Sequence, residues 1–301
     1  MGETADSTER ERLAAHGVTP RKRFGQNFLL DPRIPELIVE RADWRRTTPV
    51  LEIGAGSGAL TAALLAAGHP VISVEIDRDL IAILLERFTA EREAGCWALI
   101  EGDLLALDPK RGPLGQALAS LAPDDDPRPW VAGNLPYAIT TPILEWTCRS
   151  RHRWDGAVFM VQREYGARIL ASPGGREIGS LTHWIAAQAQ TRSLLRVGRS
   201  AFWPRPGVES VVLELKFPQP PPFTGDLVAL ERLLRAAFGQ RRKTLVNSVA
   251  HGLGRPKGLL TAQITALGLA ADIRGEMLSL SDFARLSEAL AAAQVAPDSQ
   301  A

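Results

Sequence analysis

Hydrophobic and polar positions follow two different patterns along the chain. Between residues 50 and 217, short apolar runs alternate with longer amphipathic or polar stretches, which predicts strands connected by helices in an α/β fold. A polar connection, predicted to be a solvated loop, runs from Pro109 to Pro129. The predicted strands are Val50–Ile53, Val71–Val74, Trp97–Ile100, Trp130–Gly133, Gly156–Gln162, Leu194–Phe202 and Val211–Phe217.

Beyond residue 225 the pattern is that of helices only. Apolar residues recur at helical spacing from Leu230 to Phe238, and Gly239 marks the predicted end of this helix. The stretch Pro218–Pro222 cannot form the interior of a helix or a sheet, so it predicts a stiff linker. We therefore expect a flexible arm over 1–17, an α/β domain over 18–217, a linker over 218–224, a helical domain over 225–295 and a frayed tail over 296–301.

The most informative stretch lies between Val50 and Asp77. An apolar run ends in glycines at Gly54, Gly56 and Gly58, a helix follows, and a second apolar run ends in Glu75. This is the first half of a nucleotide-binding unit, in which glycines let the backbone approach a ligand and the acid accepts hydrogen bonds from ribose hydroxyls. The Gly-X-Gly-X-Gly spacing favours S-adenosylmethionine over NAD. The alternative is a glycine turn that only packs a helix on the sheet.

Two further strands end in candidate site residues. Asp103 follows the third strand, where its carboxylate is placed to accept a hydrogen bond from an adenine amino group; the alternative is a loop aspartate that caps the next segment. The fourth strand leads into Asn134-Leu135-Pro136-Tyr137. Ligands bind at the carboxyl ends of strands in open α/β sheets, so both segments belong to the predicted site.

The Asn134–Tyr137 turn fits one chemistry closely. An exocyclic purine amine is a poor nucleophile because its lone pair is delocalised into the ring. The Asn134 side-chain oxygen and the Leu135 carbonyl are two acceptors that orient such an amine toward a methyl donor, Pro136 follows them, and Tyr137 offers a face for base stacking. No general base is needed, since the proton leaves after transfer. The alternative is a proline turn with a buried tyrosine.

Three other features remain open at this level. Phe202 begins a rigid, proline-rich joint, and either stacks on a flipped base or belongs to the core. The cluster Arg21-Lys22-Arg23 precedes Phe24-Gly25-Gln26-Asn27 and predicts a lid with phosphate-contacting cations, or else a solvated turn. The cluster Arg241-Arg242-Lys243 opens a helix, where the macrodipole disfavours cations, which suggests an anionic partner; otherwise it is a solvated face.

Composition limits the function classes. The chain has 301 residues and a net charge of +1, so nucleic-acid binding must come from local clusters. Cys96 and Cys148 lack metal-ligand spacing and predict reduced thiols in a cytoplasmic protein without a metal site. No apolar run has the length of a membrane span, which predicts no membrane association.

Taken together, these motifs resemble the KsgA family of small-subunit (16S) ribosomal RNA adenine N6,N6-dimethyltransferases over about 22–290. The matching segments are Lys22–Leu29, Glu52–Thr61, Val74–Leu80, Gly102–Leu105, Gly133–Leu144, Val161–Ile169, Phe202–Ser210 and Phe238–Ser248. The combination of the Asn134–Tyr137 turn with the first and last of these segments is highly specific.

The resemblance implies a Rossmann-like class I methyltransferase with a mostly parallel seven-stranded sheet, an antiparallel terminal hairpin and a small all-helical C-terminal domain. It implies transfer of two methyl groups to each of two adjacent adenines near the 3′ end of 16S rRNA, on the 30S subunit or its late assembly intermediate. We expect a cytoplasmic monomer. The implied cofactor-binding residues are Asn27, Leu29, Gly54, Glu75, Asp103 and Asn134, to which the glycine spacing adds Gly56.

The chain departs from the family pattern at three places. Ile178–Thr182 replaces a stretch that usually contains a tyrosine and an arginine, Gly207 stands where a lysine is common, and Ala138–Thr140 replaces Asn-Ile-Ser. These changes leave the predicted catalytic core intact and put some RNA contacts in doubt.

Three alternative functions fit the motifs less well. Relatives that methylate 23S rRNA for antibiotic resistance share the Asn-Leu-Pro-Tyr turn but match the Lys22–Leu29 and Phe238–Ser248 segments less closely. A non-catalytic RNA-binding assembly factor has no need for the methyl-donor pocket that Glu75 and Asp103 predict. An NAD-linked oxidoreductase is disfavoured by the glycine spacing.

Overall fold

The computed structural model describes residues 5–21, 25–45, 47–121, 127–240 and 242–295. Within this part of the chain, seven strands form one sheet in the order β4-β3-β2-β5-β6-β9-β7. A separate pair joins the short strands β1 and β8. The strands are β1 Phe28–Leu29, β2 Val50–Ile53, β3 Val71–Glu75, β4 Trp97–Glu101, β5 Trp130–Asn134, β6 Gly156–Gln162, β7 Gln190–Val197, β8 Phe202–Trp203 and β9 Ser210–Lys216.

Helices connect these strands and follow them along the chain. They are α1 Ala5–Ala15, α2 Arg33–Arg41, α3 Ala59–Ala66, α4 Arg78–Arg87, α5 Thr89–Glu93, α6 Gly112–Leu121, α7 Thr140–Arg149, α8 Arg163–Ile169, α9 Ser180–Ala186, α10 Leu227–Phe238, α11 Leu245–Leu253, α12 Lys257–Ala266 and α13 Leu280–Val295.

The pairing of the central strands confirms the predicted sheet. Strands β2 to β6 pair in parallel, and β9 lies antiparallel to β6, with Gly156 opposite Lys216 and Gln162 opposite Ser210. Strand β3 is buried along its whole length, as expected for a parallel strand covered on both faces. The carboxyl ends of β2, β3, β4 and β5 therefore meet at one edge.

The chain packs into two compact units. The sheet unit comprises Met1–Gly166 and Thr191–Phe217, and the helical unit comprises Ala167–Gln190 and Pro218–Ala301. The helical unit thus includes 167–190, which the sequence pattern assigned to the α/β domain. Its packing gives the reason: His183 in α9 lies among the rings of Phe238 and Phe283, which belong to α10 and α13.

Two helices lie where the sequence predicted irregular structure. Helix α1 occupies part of the predicted flexible arm, and its Leu13 is fully buried with Val18 and Phe28. Helix α6 occupies part of the predicted loop 109–129, because Leu114 and Leu118 are spaced four residues apart and are both buried. The aspartates of that loop, at 124–126, lie outside the described residues.

The predicted strand Leu194–Phe202 is instead divided. Strand β7 begins earlier, at Gln190, and ends at Val197 before Gly198, and Phe202 pairs with Leu29 in the separate β1–β8 ladder. Most residues of β7 are exposed or half-buried, so its polar beginning does not form an apolar run in the sequence.

Candidate functional site

A cavity of about 320 Å³ lies at the carboxyl edge of the parallel strands, within the sheet unit. This volume is at the lower end of the usual range for small-molecule sites, about 300–1,000 Å³. Its wall is built from the ends of four strands and from the segment before α2. Residues that the sequence singled out line it: Asn27, Leu29, Gly54, Gly56, Glu75, Asp103, Asn134, Leu135, Pro136 and Tyr137.

The glycine turn after β2 has the backbone conformation that its sequence predicted. Gly54 and Gly56 have φ angles of 67° and 60°, a region in which side chains are strained. The turn is also held by α4, because Nη1 of Arg87 donates a hydrogen bond of 2.7 Å to the Ser57 carbonyl oxygen. The same Nη1 lies 3.6 Å from a carboxylate oxygen of Glu9 in α1.

Glu75 ends β3 and is clamped by main-chain donors. Its Oε2 accepts from the Gly56 N–H at 2.9 Å, and its Oε1 accepts from the N–H groups of Ile76 and Asp77, each at 2.9 Å. Burial raises the pKa of the Glu75 carboxyl, and the three main-chain hydrogen bonds oppose that rise. A carboxylate oxygen can accept about two hydrogen bonds, so Oε2, which accepts one here, remains able to bind a hydroxyl group.

A second acid, Glu52, lies in β2 just before the glycine turn. It is almost fully buried, and its Oε2 accepts from the hydroxyls of Thr61 and Ser73 at 2.5 and 3.0 Å. Burial raises the pKa of the Glu52 carboxyl to about 7. This residue lines the cavity, although the sequence pattern did not single it out. The sequence did contain a signal for Glu52, because it is a charged residue inside an otherwise apolar strand.

Asp103 lines the cavity and also caps a turn. Its Oδ1 accepts from the Leu105 N–H at 3.0 Å, at the start of the 3₁₀ turn Leu104–Ala106. The two alternatives left open by the sequence are therefore compatible, since the same carboxylate fixes the turn and borders the cavity.

Asn134 is the last residue of β5, and its amide group has one defined orientation. Its Nδ2 donates a hydrogen bond of 3.0 Å to the main-chain carbonyl oxygen of Asn27. A carbonyl oxygen can only accept, so the amide oxygen of Asn134 points away from it. Among the described residues, none donates a hydrogen bond to that amide oxygen, which leaves it open to a ligand.

The rest of the turn is anchored to neighbouring elements. The Leu135 N–H donates to the Met160 carbonyl at 3.1 Å, and the Pro136 carbonyl accepts from the Thr140 hydroxyl. Tyr137 is half-buried, and its hydroxyl lies 3.0 Å from Oγ of Ser210. The tyrosine is thus part of the cavity wall and not a core residue.

The segment before α2 is tied to the end of β3 by a polar latch, which we define as Arg21, Gln26 and Asp77. Gln26 donates to Oδ2 of Asp77 at 2.8 Å and accepts from the Arg21 N–H at 2.8 Å. Arg21 donates to Oδ1 of Asp77 at 2.8 Å and also pairs with Asp79. The sequence pattern did not reveal Gln26 and Asp77 as partners, because a long-range pair of polar residues leaves no local signal.

The predicted lid cations have different fates. Arg21 is paired with Asp77 and Asp79 of the sheet unit, and its contact with an RNA phosphate stays a prediction. Lys22 and Arg23 lie outside the described residues. Phe202 is 3% exposed in the hydrophobic core and does not line the cavity, which places it in the core alternative and away from a base.

The second cation cluster precedes α11 in the helical unit. Arg242 and Lys243 are exposed, whereas Arg241 lies outside the described residues. Thr244 caps the helix, and its Oγ1 accepts from Nδ2 of Asn247 at 2.8 Å. Both described cations are thus available at the surface of this unit.

The part of the chain that the structure describes contains no helix with both the length and the apolar character needed to cross a bilayer. Nor does any group of three or more His, Cys, Asp and Glu side chains within that part have the arrangement of a metal site.

The sheet order, the glycine turn after the first sheet strand and the acid that ends the next strand define a class I S-adenosylmethionine-dependent methyltransferase. A family model described as ribosomal RNA adenine dimethylase matches residues 17–291. The chain belongs to this family, which confirms the membership that its motifs predicted.

Curated relatives match almost the whole chain. The ribosomal RNA small subunit methyltransferase A of Moorella thermoacetica is 40% identical over 278 residues, covering 91% of this chain and 93% of the relative. The protein of the same name from Pelotomaculum thermopropionicum is 37% identical over 281 residues, covering 93% and 94%.

Solved structures show the same fold. A dimethyladenosine transferase from Plasmodium falciparum superposes with a TM-score of 0.70 at 26% identity, covering 86% of this chain and 95% of that one. The 23S rRNA methyltransferase ErmE gives 0.66 at 25% identity, covering 88% and 100%. The fold is thus shared by enzymes whose names point to different substrates.

Proposed function

We propose that the protein transfers methyl groups from S-adenosylmethionine to the exocyclic N6 of two adjacent adenines near the 3′ end of 16S rRNA. The coverage and identity of the small-subunit relatives support this substrate. The proposal includes its setting: a monomer that acts in the cytoplasm on the 30S subunit or its late assembly intermediate. It also includes a division of labour, in which the α/β domain is catalytic and the helical domain helps to bind RNA.

The cavity fits the proposed cofactor. Its apolar wall accommodates an adenosine group, Glu75 is held where it can accept from ribose hydroxyls, and Asp103 borders the same space. The positive φ of Gly54 and Gly56 keeps side chains out of the cradle. When bound, S-adenosylmethionine supplies an electrophilic methyl group on a positively charged sulfur. We assign cofactor binding to Asn27, Leu29, Gly54, Gly56, Glu75, Asp103 and Asn134.

The chain's own contribution to catalysis is orientation of the amine. The open amide oxygen of Asn134 and the carbonyl of Leu135 each accept one hydrogen of the adenine amine, which aims the nitrogen lone pair into the cavity. Tyr137 supports the face of the base, and Pro136 shapes the turn before it. With the cofactor bound, the amine nitrogen would form the new bond to the methyl carbon as the carbon–sulfur bond breaks and its electron pair goes to the sulfur of the departing S-adenosylhomocysteine, and the excess proton on nitrogen would then leave to solvent. Orientation and electrostatics account for the acceleration.

One observation supports this mechanism most strongly: the hydrogen bond from Asn134 Nδ2 to the Asn27 carbonyl. It joins the residue proposed to orient the amine to the segment proposed to bind the cofactor. The two proposed substrates would therefore meet at a single amide group.

The proposed RNA contacts outside the cavity are Arg242 and Lys243, with Arg241, Lys22 and Arg23 as further candidates outside the described residues. Exposed cations bind phosphate oxygens without reading sequence, so these residues contribute affinity and not the choice of adenine.

Transfer of labelled methyl groups to purified ribosomal subunits tests the proposal. We expect incorporation into small subunits that lack the modification and none into large subunits, with the label recovered as N6,N6-dimethyladenosine. The structural likeness to ErmE favours 23S rRNA as a second candidate. Incorporation into large subunits alone would replace the first proposal with the second.

A further inference from the structure

The geometry points to a phosphate-binding site in addition to the proposed contacts of the exposed cations. This site is a pocket of the helical unit, and it binds phosphodiester oxygens of the RNA backbone. This inference rests on the proposed function and extends it beyond the Arg241–Lys243 cluster. The pocket has a volume of about 460 Å³. Its polar lining is formed by Gln240, Lys243, Asn247, His251, Arg255 and Lys257.

The pocket follows from the way α11 begins and ends. Asn247 and His251 are four residues apart in α11, which places them on one side of the helix, and Lys243 lies just before Thr244, the residue that caps it. The helix ends at Gly254, whose φ of 65° reverses the chain. The Arg255 N–H then donates to the Ala250 carbonyl at 3.1 Å, and Arg255 and Lys257, which follow this turn, line the same pocket.

The charge of the pocket has one sign. Lys243, Arg255 and Lys257 are three permanent cations, and none of the described residues that line the pocket is acidic. The three side chains have no ion-pair partner among the described residues. Other arginines of this unit do pair with acids: Arg235 with Glu231 at 2.6 Å, Arg274 with Glu276 at 3.7 Å and Arg285 with Asp282 at 3.8 Å.

This chemistry suits a phosphodiester. Cations that converge from two sides of a concave surface repel one another until an anion binds between them, and the amide groups of Gln240 and Asn247 can add neutral hydrogen bonds. Lys243 belongs both to the predicted cluster and to the pocket, so the cluster and the pocket are adjacent on this unit. RNA is the anion that the proposed function supplies.

A matched pair of variants tests the site. Arg255→Gln/Lys257→Gln removes two pocket cations, and Arg232→Gln removes a cation of α10 that does not line the pocket and has no ion-pair partner among the described residues. Binding of a fluorescent RNA carrying the 3′ region of 16S rRNA is measured across a salt series. The plot of log K against log salt has a negative slope, and each lost phosphate contact makes this slope shallower by about 0.7–0.9.

We expect the double variant to bind more weakly, with a slope smaller by about 1.4–1.8, and Arg232→Gln to keep the wild-type slope. A double variant with the affinity and slope of Arg232→Gln overturns the inference. The inference is also overturned if inorganic phosphate binds to the pocket in calorimetry while both variants keep the wild-type salt dependence of RNA binding. If the double variant unfolds, Lys257→Gln alone serves as the check, because Lys257 is exposed. We expect this single variant to show about half the change in salt slope. Failure of the proposed function shows separately, as wild-type protein that does not methylate small subunits.

Discussion

Nδ2 of Asn134 lies 3.0 Å from the main-chain carbonyl oxygen of Asn27, 107 residues away in sequence. This hydrogen bond decides which end of the Asn134 amide faces the cavity, because the carbonyl can accept but not donate. An aspartate at the same position would present an oxygen to an oxygen. The pair therefore explains why the turn uses asparagine, although both residue types supply an acceptor.

Replacing Asn134 should slow methyl transfer far more than it weakens RNA binding. We expect Asn134→Ala to lower the single-turnover rate at saturating cofactor by about 100-fold or more, because the amine loses an orienting acceptor. Asn134→Asp keeps an acceptor but loses the bond to Asn27, so its rate should also fall. Wild-type transfer rates in both variants would contradict the mechanism.

Two substitutions of Tyr137 distinguish the contribution of its ring from that of its hydroxyl group. The hydroxyl contacts Ser210, so Tyr137→Phe should keep transfer efficiency within about threefold of wild type. Tyr137→Ala removes a stacking face worth about 1–3 kcal/mol, or about 5- to 150-fold in kcat/KM. Equal losses in the two variants would show that the hydroxyl is what the enzyme needs.

The polar latch should control cofactor affinity. Gln26→Ala removes hydrogen bonds to Asp77 and to the Arg21 main chain, so we expect the Kd for S-adenosylmethionine in calorimetry to rise by about 5- to 10-fold. Asp79→Asn is the matched control, since its exposed pair with Arg21 is worth little. If the two variants bind the cofactor equally well, the latch does not hold the cavity wall.

Glu52 predicts a pH dependence of stability. Its pKa is about 7 in the folded protein against an ordinary 4.5, so the folded state binds more protons between these values and stability falls as pH rises. Glu52→Gln keeps an acceptor for Thr61 and Ser73 without the titration. From about pH 5 to about pH 8 the wild type should lose about 2–3 kcal/mol of unfolding free energy relative to the variant. If denaturant titrations show that the stabilities of wild type and Glu52→Gln change with pH in parallel, Glu52 does not have the raised pKa.

The central strands and most of the cavity wall could be predicted from sequence because both depend on local patterns. Apolar runs located the central strands, and the carboxyl ends of parallel strands necessarily bring Gly54, Glu75, Asp103 and Asn134 to one edge. The family motif added Asn27, which no local pattern would have placed beside Asn134.

What could not be predicted depends on contacts between distant segments. Phe202 was a candidate for base stacking until its pairing with Leu29 placed it in the core. Arg21 looked like a free cation because Asp77 and Asp79 come 56 and 58 residues later. Helix α1 is polar along most of its length, and Leu13 alone gave too weak a periodic signal.

The shared guanidinium of Arg87 has a practical consequence for anyone who produces this protein. Shortening the chain before residue 16 would strip Arg87 of its Glu9 counterion and leave a cavity where Leu13 now packs. Because the same guanidinium holds the Ser57 carbonyl, the damage would reach the glycine turn directly. Purification tags are therefore better appended to the intact amino terminus than substituted for it.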